Sequence, residues 1–145
     1  IPFIIGGRSD AALRRTAKYG DGWIGVWCSE RRYAEAVDLI QTEAEACGRG
    51  DTRWLHGYQP WVGVDNDPTV AKQAVKQQME AFYKVPCEKF ERYTPAGTPA
   101  DVAQQLAGYS AAGSRLFNLK ICCKHPAEEV HYAGEVQREL MQLIA

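Results

Sequence analysis

No apolar run in this chain approaches the ~18 residues of a membrane span, and no signal peptide opens it. No charge of one sign dominates. Lys and Arg number 17 against 18 Asp and Glu, a formal net charge of −1, so no bulk field attracts nucleic acid or an anionic membrane. The densest basic groups, Arg14, Arg15 and Lys18 and then Arg31 and Arg32, lie in helical segments and read as solvated helix faces. No C-x-x-C pair occurs. The five cysteines, Cys28, Cys47, Cys87, Cys122 and Cys123, are odd in number, which argues against a disulfide framework or a zinc site and for a reducing cytoplasm. His56 and His131 have no metal-ligand spacing with an acidic or sulfur partner and read as incidental, so no metal is expected. Low-complexity tracts and linkers are missing too. So is an initial Met: the chain enters a strand at Ile1, from which truncation of a longer sequence is expected.

What is present is regular α/β punctuation. The 145 residues suit one domain burying roughly 70% of its unfolded surface. Strands are expected at Pro2 to Ile5, Trp23 to Trp27, Tyr58 to Val64 and Leu116 to Cys123, the first, second and fourth apolar on both faces as parallel strands under helices are. Ser9 stands where the cap of the first helix belongs, the second helix is expected to begin after Ser29, and Gly20 and Gly48 stand where those helices stop. Asp67-Pro68 is a cap followed by a first-turn proline, and Thr98-Pro99-Ala100-Asp101 resembles a capping box. The expected stripes are Tyr33, Val37, Ile40, Ala44 and Cys47 on the second helix, and Ala71, Val75, Gln78 and Phe82, flanked by Ala74 and Met79, on the third. A last helix starts near Pro126 with Val130, Ala133, Gln137, Leu140 and Ile144. Lys84 to Gly97 reads as a less regular connection.

In the first 27 residues, a buried strand feeds a capped helix through Gly6-Gly7. That arrangement presents backbone N–H groups to a phosphate. The order β-α-β-α-β-α-(loop)-α-β-α fits two α/β architectures: a small doubly wound parallel sheet, or half of a (β/α)8 barrel, which takes ~250 residues when whole.

Two segments resemble the C-terminal half of the bacterial luciferase-like monooxygenase family, whose members depend on flavin mononucleotide (FMN) or the deazaflavin F420. The first is Ile1-Pro-Phe-Ile-Ile-Gly-Gly-Arg-Ser with Ala12-Leu-Arg-Arg15 and Tyr19-Gly-Asp-Gly-Trp-Ile-Gly25. The second is Gly97-Thr-Pro-Ala-Asp-Val-Ala-Gln-Gln-Leu106 through Ala111-Ala-Gly-Ser-Arg-Leu-Phe117, similar to the helix before that family's final barrel strand. The resemblance implies a partial TIM-type (β/α)8 barrel of about four parallel strands and five helices over residues 1–145, with the cofactor at the C-terminal strand ends. It implies that Gly6, Gly7, Arg8 and Ser9 hold the cofactor's phosphate or ribityl region. Trp27 and Cys28, at the mouth of the second strand, are expected beside it, Trp27 as the wall of a flat ring. Cys28 lacks an evident His partner for nucleophilic work. Cys122 and Cys123 read as small buried residues, and Lys120, Lys124 and His125 as residues ending or following the last strand.

No catalytic acid or base is identified. The implied activity is an FMN- or F420-dependent oxidoreductase acting on a small molecule. The half-barrel would be completed in a homodimer or by an N-terminal half, because open strand edges and an apolar inner face need cover. The alternative reading is a non-catalytic oligomerising or binding module derived from such a barrel.

Overall fold

Short parallel strands alternate with longer helices along the chain. The computed structural model describes all residues, Ile1–Ala145. In chain order the elements are β1 (Ile4–Gly6), α1 (Asp10–Tyr19), β2 (Gly22–Gly25), α2 (Glu30–Ala46), β3 (Gly57–Tyr58), β4 (Trp61–Val64), α3 (Pro68–Tyr83), β5 (Ala96–Gly97), α4 (Pro99–Ala111), β6 (Leu116–Phe117), β7 (Lys120–Cys122) and α5 (Glu129–Leu143). Turns of 3-10 helix fill Cys87–Lys89, Glu91–Tyr93 and Pro126–Glu128. The chain divides into two compact units, Ile1–Gln59 with Tyr109–Asn118, and Pro60–Gly108 with Leu119–Ala145.

The first unit holds a parallel sheet in the order β1-β2-β3-β6. Ile4 lies opposite Gly22, Ile24 opposite Gly57, and Gly57 opposite Leu116. Helices α1 and α2 cover it because their apolar positions fall on one face. Leu13, Thr16 and Ala17 of α1 and Tyr33, Ala36, Ile40 and Ala44 of α2 are buried. Burying a large side chain of this kind contributes about 1.5–3 kcal/mol. The last carbonyls of α1 lack intrahelical partners, and Arg49 supplies them. Its guanidinium donates to the carbonyls of Ala17 at 2.6 Å and Gly20 at 2.8 Å, where a cation suits the helix dipole.

The second unit is a parallel sheet in the order β5-β4-β7 with α3 and α5. The core is Trp61, Val75, Met79, Cys87 and Cys122. Gly63 of β4 lies against the backbone of Ala71 on α3, and a Cβ there would collide with the Ala71 carbonyl oxygen. Close contact of α3 with the strand therefore requires glycine.

The elements differ from expectation where partners distant in sequence decide. The run Tyr58 to Val64 is two strands, β3 and β4, in different sheets. Pro60 between them has no N–H to give a ladder. The run Leu116 to Cys123 breaks in step at Asn118 and Leu119: the Asn118 N–H donates to the Tyr58 carbonyl, and the Lys120 N–H to that of Pro60. The first strand is only half-buried, because β1 is a sheet edge. Val26 and Trp27 lie beyond β2. Ala96 and Gly97 make a short strand, β5, inside the irregular connection. On α3 the expected Ala71, Ala74, Val75 and Met79 are buried, but Phe82 is 69% exposed. On α5 they are Tyr132, Val136 and Leu140, leaving Val130 exposed. Cys47 ends α2 on the surface rather than in the core. No helix is long and apolar enough to cross a membrane.

Candidate functional site

Parallel pairing of β1 with β2 sends both strands out of the first unit on the same side, and each leads into a helix start. The two starts are adjacent. Asp10, the first residue of α1, accepts a bond from Arg32, in the first turn of α2, at 3.1 Å. First-turn N–H groups have no intrahelical acceptor and carry the positive end of the helix dipole.

The turn leaving β1 is shaped by Gly7. Its φ of +128° is a conformation that L side chains rarely adopt, and a Cβ there would sit 2.7 Å from that of Ala12. The Gly7 carbonyl accepts the Trp23 indole N–H at 2.8 Å, which ties the turn to β2. Ser9 caps α1, its hydroxyl oxygen accepting from the Ala12 N–H at 3.3 Å; the hydroxyl proton remains free to donate. Arg8 is exposed and makes no ion pair. Ser29 caps α2 in the same way, accepting from the Arg32 N–H at 3.2 Å.

The turn leaving β2 carries Trp27 and Cys28. Trp27 is half-buried and its φ is +46°, left-handed, a placement costing of order 1–3 kcal/mol for a residue with a large side chain. Cys28 is buried. Burial pushes its thiol up to about 11 despite the opposing pull of the Arg8 and Arg32 guanidiniums. The thiol is neutral at physiological pH and is not an activated nucleophile. The Cys28 carbonyl accepts the Tyr109 hydroxyl at 2.7 Å and the Tyr58 hydroxyl at 3.4 Å.

The expected residues Gly6, Gly7, Arg8, Ser9, Trp27 and Cys28 thus stand at two neighbouring strand ends. Backbone amides of the α1 start, the Ser9 hydroxyl and the exposed Arg8 side chain follow one another there. Sequence reading missed Arg32 as a neighbour of this turn, although its place three residues after the capping Ser29 fixes it at a helix start. It also missed Tyr109, whose partner lies 81 residues away in sequence. His56 is not incidental. It is 3% exposed, its Nδ1 accepts the Trp23 N–H at 3.1 Å, its ring stacks on Trp54, and its buried Nε2 has no partner. Burial lowers its pKa to about 4. With Nδ1 accepting, the orphaned Nε2 carries the proton.

In the second unit Lys124 and His125 are exposed after β7, while Cys122 and Cys123 are buried. Burial pushes the Cys122 thiol up to about 12, which fits inert packing. A recess of about 390 Å³ in that unit is lined by α3, the 3-10 turns, β5 and α4, including Cys87, Glu91 and Thr94. Its Lys76 and Glu88 are paired at 2.8 Å.

The family described as luciferase-like monooxygenase matches residues 1–116. No curated protein matches. Solved structures do. An F420-dependent secondary alcohol dehydrogenase in complex with an F420–acetone adduct aligns over 100% of this chain and 49% of its own, with TM-score 0.79 and 14% identity. The coenzyme F420-dependent tetrahydromethanopterin reductase from Methanopyrus kandleri aligns over 100% of this chain and 51% of its own, with TM-score 0.74 and 17% identity. The monooxygenase RslO1 from Streptomyces bottropensis aligns over 98% and 48%, with TM-score 0.71 and 19% identity. The chain spans about half the length of these structures. Its fold is accordingly α/β, half of a (β/α)8 barrel, with parallel sheets and five helices.

Proposed function

The chain belongs to the luciferase-like monooxygenase family, and from that premise we propose that it is the cofactor-anchoring half of an oxidoreductase using FMN or F420. In this reading Gly6, Gly7, Arg8 and Ser9 hold the cofactor's phosphate, a group that both compounds carry. Trp27 and Cys28 wall the adjoining part of the cofactor. The carrying observation is the convergence of two helix starts, joined by the Asp10–Arg32 pair at 3.1 Å, beside the unpaired Arg8. The donor set fits a phosphate. Gly7 lets the backbone turn without a side chain in the way, first-turn amides of α1 lack intrahelical acceptors, and Asp10 is already engaged by Arg32. A helix start favours a nearby anion by about 0.3–1 kcal/mol, and a charge-assisted bond from Arg8 adds about 1.5–3 kcal/mol.

When bound, a reduced flavin or deazaflavin supplies hydride transfer, and a flavin also oxygen activation. This chain's own residues bind and orient. Arg8 and Ser9 donate to phosphate oxygens, and Trp27 offers an apolar face. The neutral Cys28 thiol moves no proton at physiological pH. Contacts to a small-molecule substrate then fall to the other half of a barrel. We assign that half to a partner, either a second copy of this chain or an N-terminal half-barrel, pairing with the open edges at β1 and β6. Residues 1–145 act as one half-barrel domain, and their five free cysteines suit the reducing cytoplasm.

A second reading, a non-catalytic oligomerising or binding module, is favoured by the neutral Cys28 and by the half-length match. An ultraviolet-visible titration of the purified chain with FMN and with F420 tests the first reading, run beside light scattering. Micromolar binding of either supports it, and no spectral change with either overturns it. Cofactor-dependent turnover by the purified chain excludes the module reading. A mass of only 16.2 kDa in solution rules out the homodimer.

A further inference from the structure

We propose that Tyr109 is the positioning residue that holds the Trp27–Cys28 turn in its left-handed form and so sets the ring-side wall of the site. The functional half of this inference rests on the cofactor reading above; the structural half does not.

A tryptophan at φ +46° is strained, and such a conformation persists only where its surroundings over-determine it. The next peptide is where that restraint is found. The Cys28 carbonyl is buried and accepts the Tyr109 hydroxyl at 2.7 Å, the usual length of a well-made O–H···O bond. The Tyr58 hydroxyl, at 3.4 Å from the same oxygen, is a weaker second donor. Tyr109 can aim its hydroxyl because its ring has no freedom to swing. It lies flat on Tyr58, with centroids 3.8 Å apart and planes 9° apart. Tyr33 meets both rings edge-on, at 5.7 Å from Tyr109 and 5.9 Å from Tyr58, and its own hydroxyl donates to the Gly57 carbonyl at 3.0 Å. Three tyrosines from α4, β3 and α2 thus fix one hydroxyl against one carbonyl.

The test is Tyr109→Phe, which keeps the stacked ring and removes only the hydroxyl. The intact chain is labelled with 5-fluorotryptophan, and its four Trp lines are followed by ¹⁹F NMR, with Trp27 assigned through Trp27→Phe. The expected result is that the Trp27 line shifts or splits while those of Trp23, Trp54 and Trp61 stay. Affinity for FMN or F420 and for the dephosphorylated cofactor should fall by the same factor, about tenfold, because the phosphate turn is untouched. An unmoved Trp27 line overturns the proposal. So does equal movement of all four lines, which marks Tyr109 as packing alone. If the Trp27 line moves selectively but the unaltered chain binds no cofactor, the positioning role stands and the cofactor reading falls. Tyr58→Phe, removing the longer bond, should move the Trp27 line less; a larger movement than for Tyr109→Phe also overturns the assignment.

Discussion

Between pH 7.5 and 5, acidification should weaken this fold through His56. It is 3% exposed and neutral in the folded state, where burial lowers its pKa from 6.5 to about 4. Above pH 6.5 both folded and unfolded chains hold it neutral, and it adds no pH dependence. Below 6.5 the unfolded chain takes up a proton that the folded chain refuses until about pH 4. Stability is therefore full above 6.5 and declines as pH falls toward 4, at up to about 1.36 kcal/mol per pH unit. By pH 5 the loss is about 2 kcal/mol, and at full protonation about 3 kcal/mol. The control is His56→Asn, whose side-chain oxygen can take over from Nδ1 as acceptor of the Trp23 N–H but does not titrate. Urea unfolding of both proteins at pH 7.5 and 5 isolates His56, since exposed groups titrate alike in each. The unaltered chain should lose about 2 kcal/mol more than the variant over this interval. Equal losses in the two proteins would refute the reasoning and mean that His56 gains a proton partner on protonation.

Three further outcomes follow from local geometry. Gly7→Ala puts a Cβ 2.7 Å from that of Ala12 at a φ of +128°, and should cost about 1–3 kcal/mol, read as a lower thermal midpoint. Gly63→Ala meets the backbone of α3 instead of a movable side chain, so it should lower the midpoint further or abolish soluble expression. Thr98→Ala removes the hydroxyl that accepts the Asp101 N–H at 3.2 Å and donates to its carboxylate at 2.8 Å; a loss of about 1 kcal/mol in denaturant unfolding is expected.

Features written in neighbouring residues were legible in advance. Ser9, Asp67 and Thr98 were expected as caps and the second helix was expected to begin after Ser29, and each of the four side chains accepts a first-turn N–H. Capping is chemistry over two or three residues, so a local pattern suffices. The parallel α/β character and the family resemblance were legible for the same reason. Which face a helix buries is set by what it packs on. Phe82 therefore lies outside the α3 core despite its spacing, and Tyr132 displaces Val130 on α5. The division of the third strand at Pro60 had a local signal in the missing N–H, and was masked by the apolar run around it. The Gly6–Ser9 turn carried its own signature. The roles of Arg32, Tyr109 and His56 depend on contacts 22 to 81 residues away, which composition and periodicity do not encode.

The central claim is that Gly6 to Ser9 anchor a cofactor phosphate. The most direct measurement is a pairwise binding titration of FMN against riboflavin, and of F420 against its dephosphorylated form, on the purified chain and on Arg8→Gln. The account predicts that the phosphorylated compound of at least one pair binds about tenfold or more tightly, and that Arg8→Gln removes most of this preference while leaving the dephosphorylated compound unaffected. Equal affinities within both pairs, or a preference that survives Arg8→Gln undiminished, would contradict it.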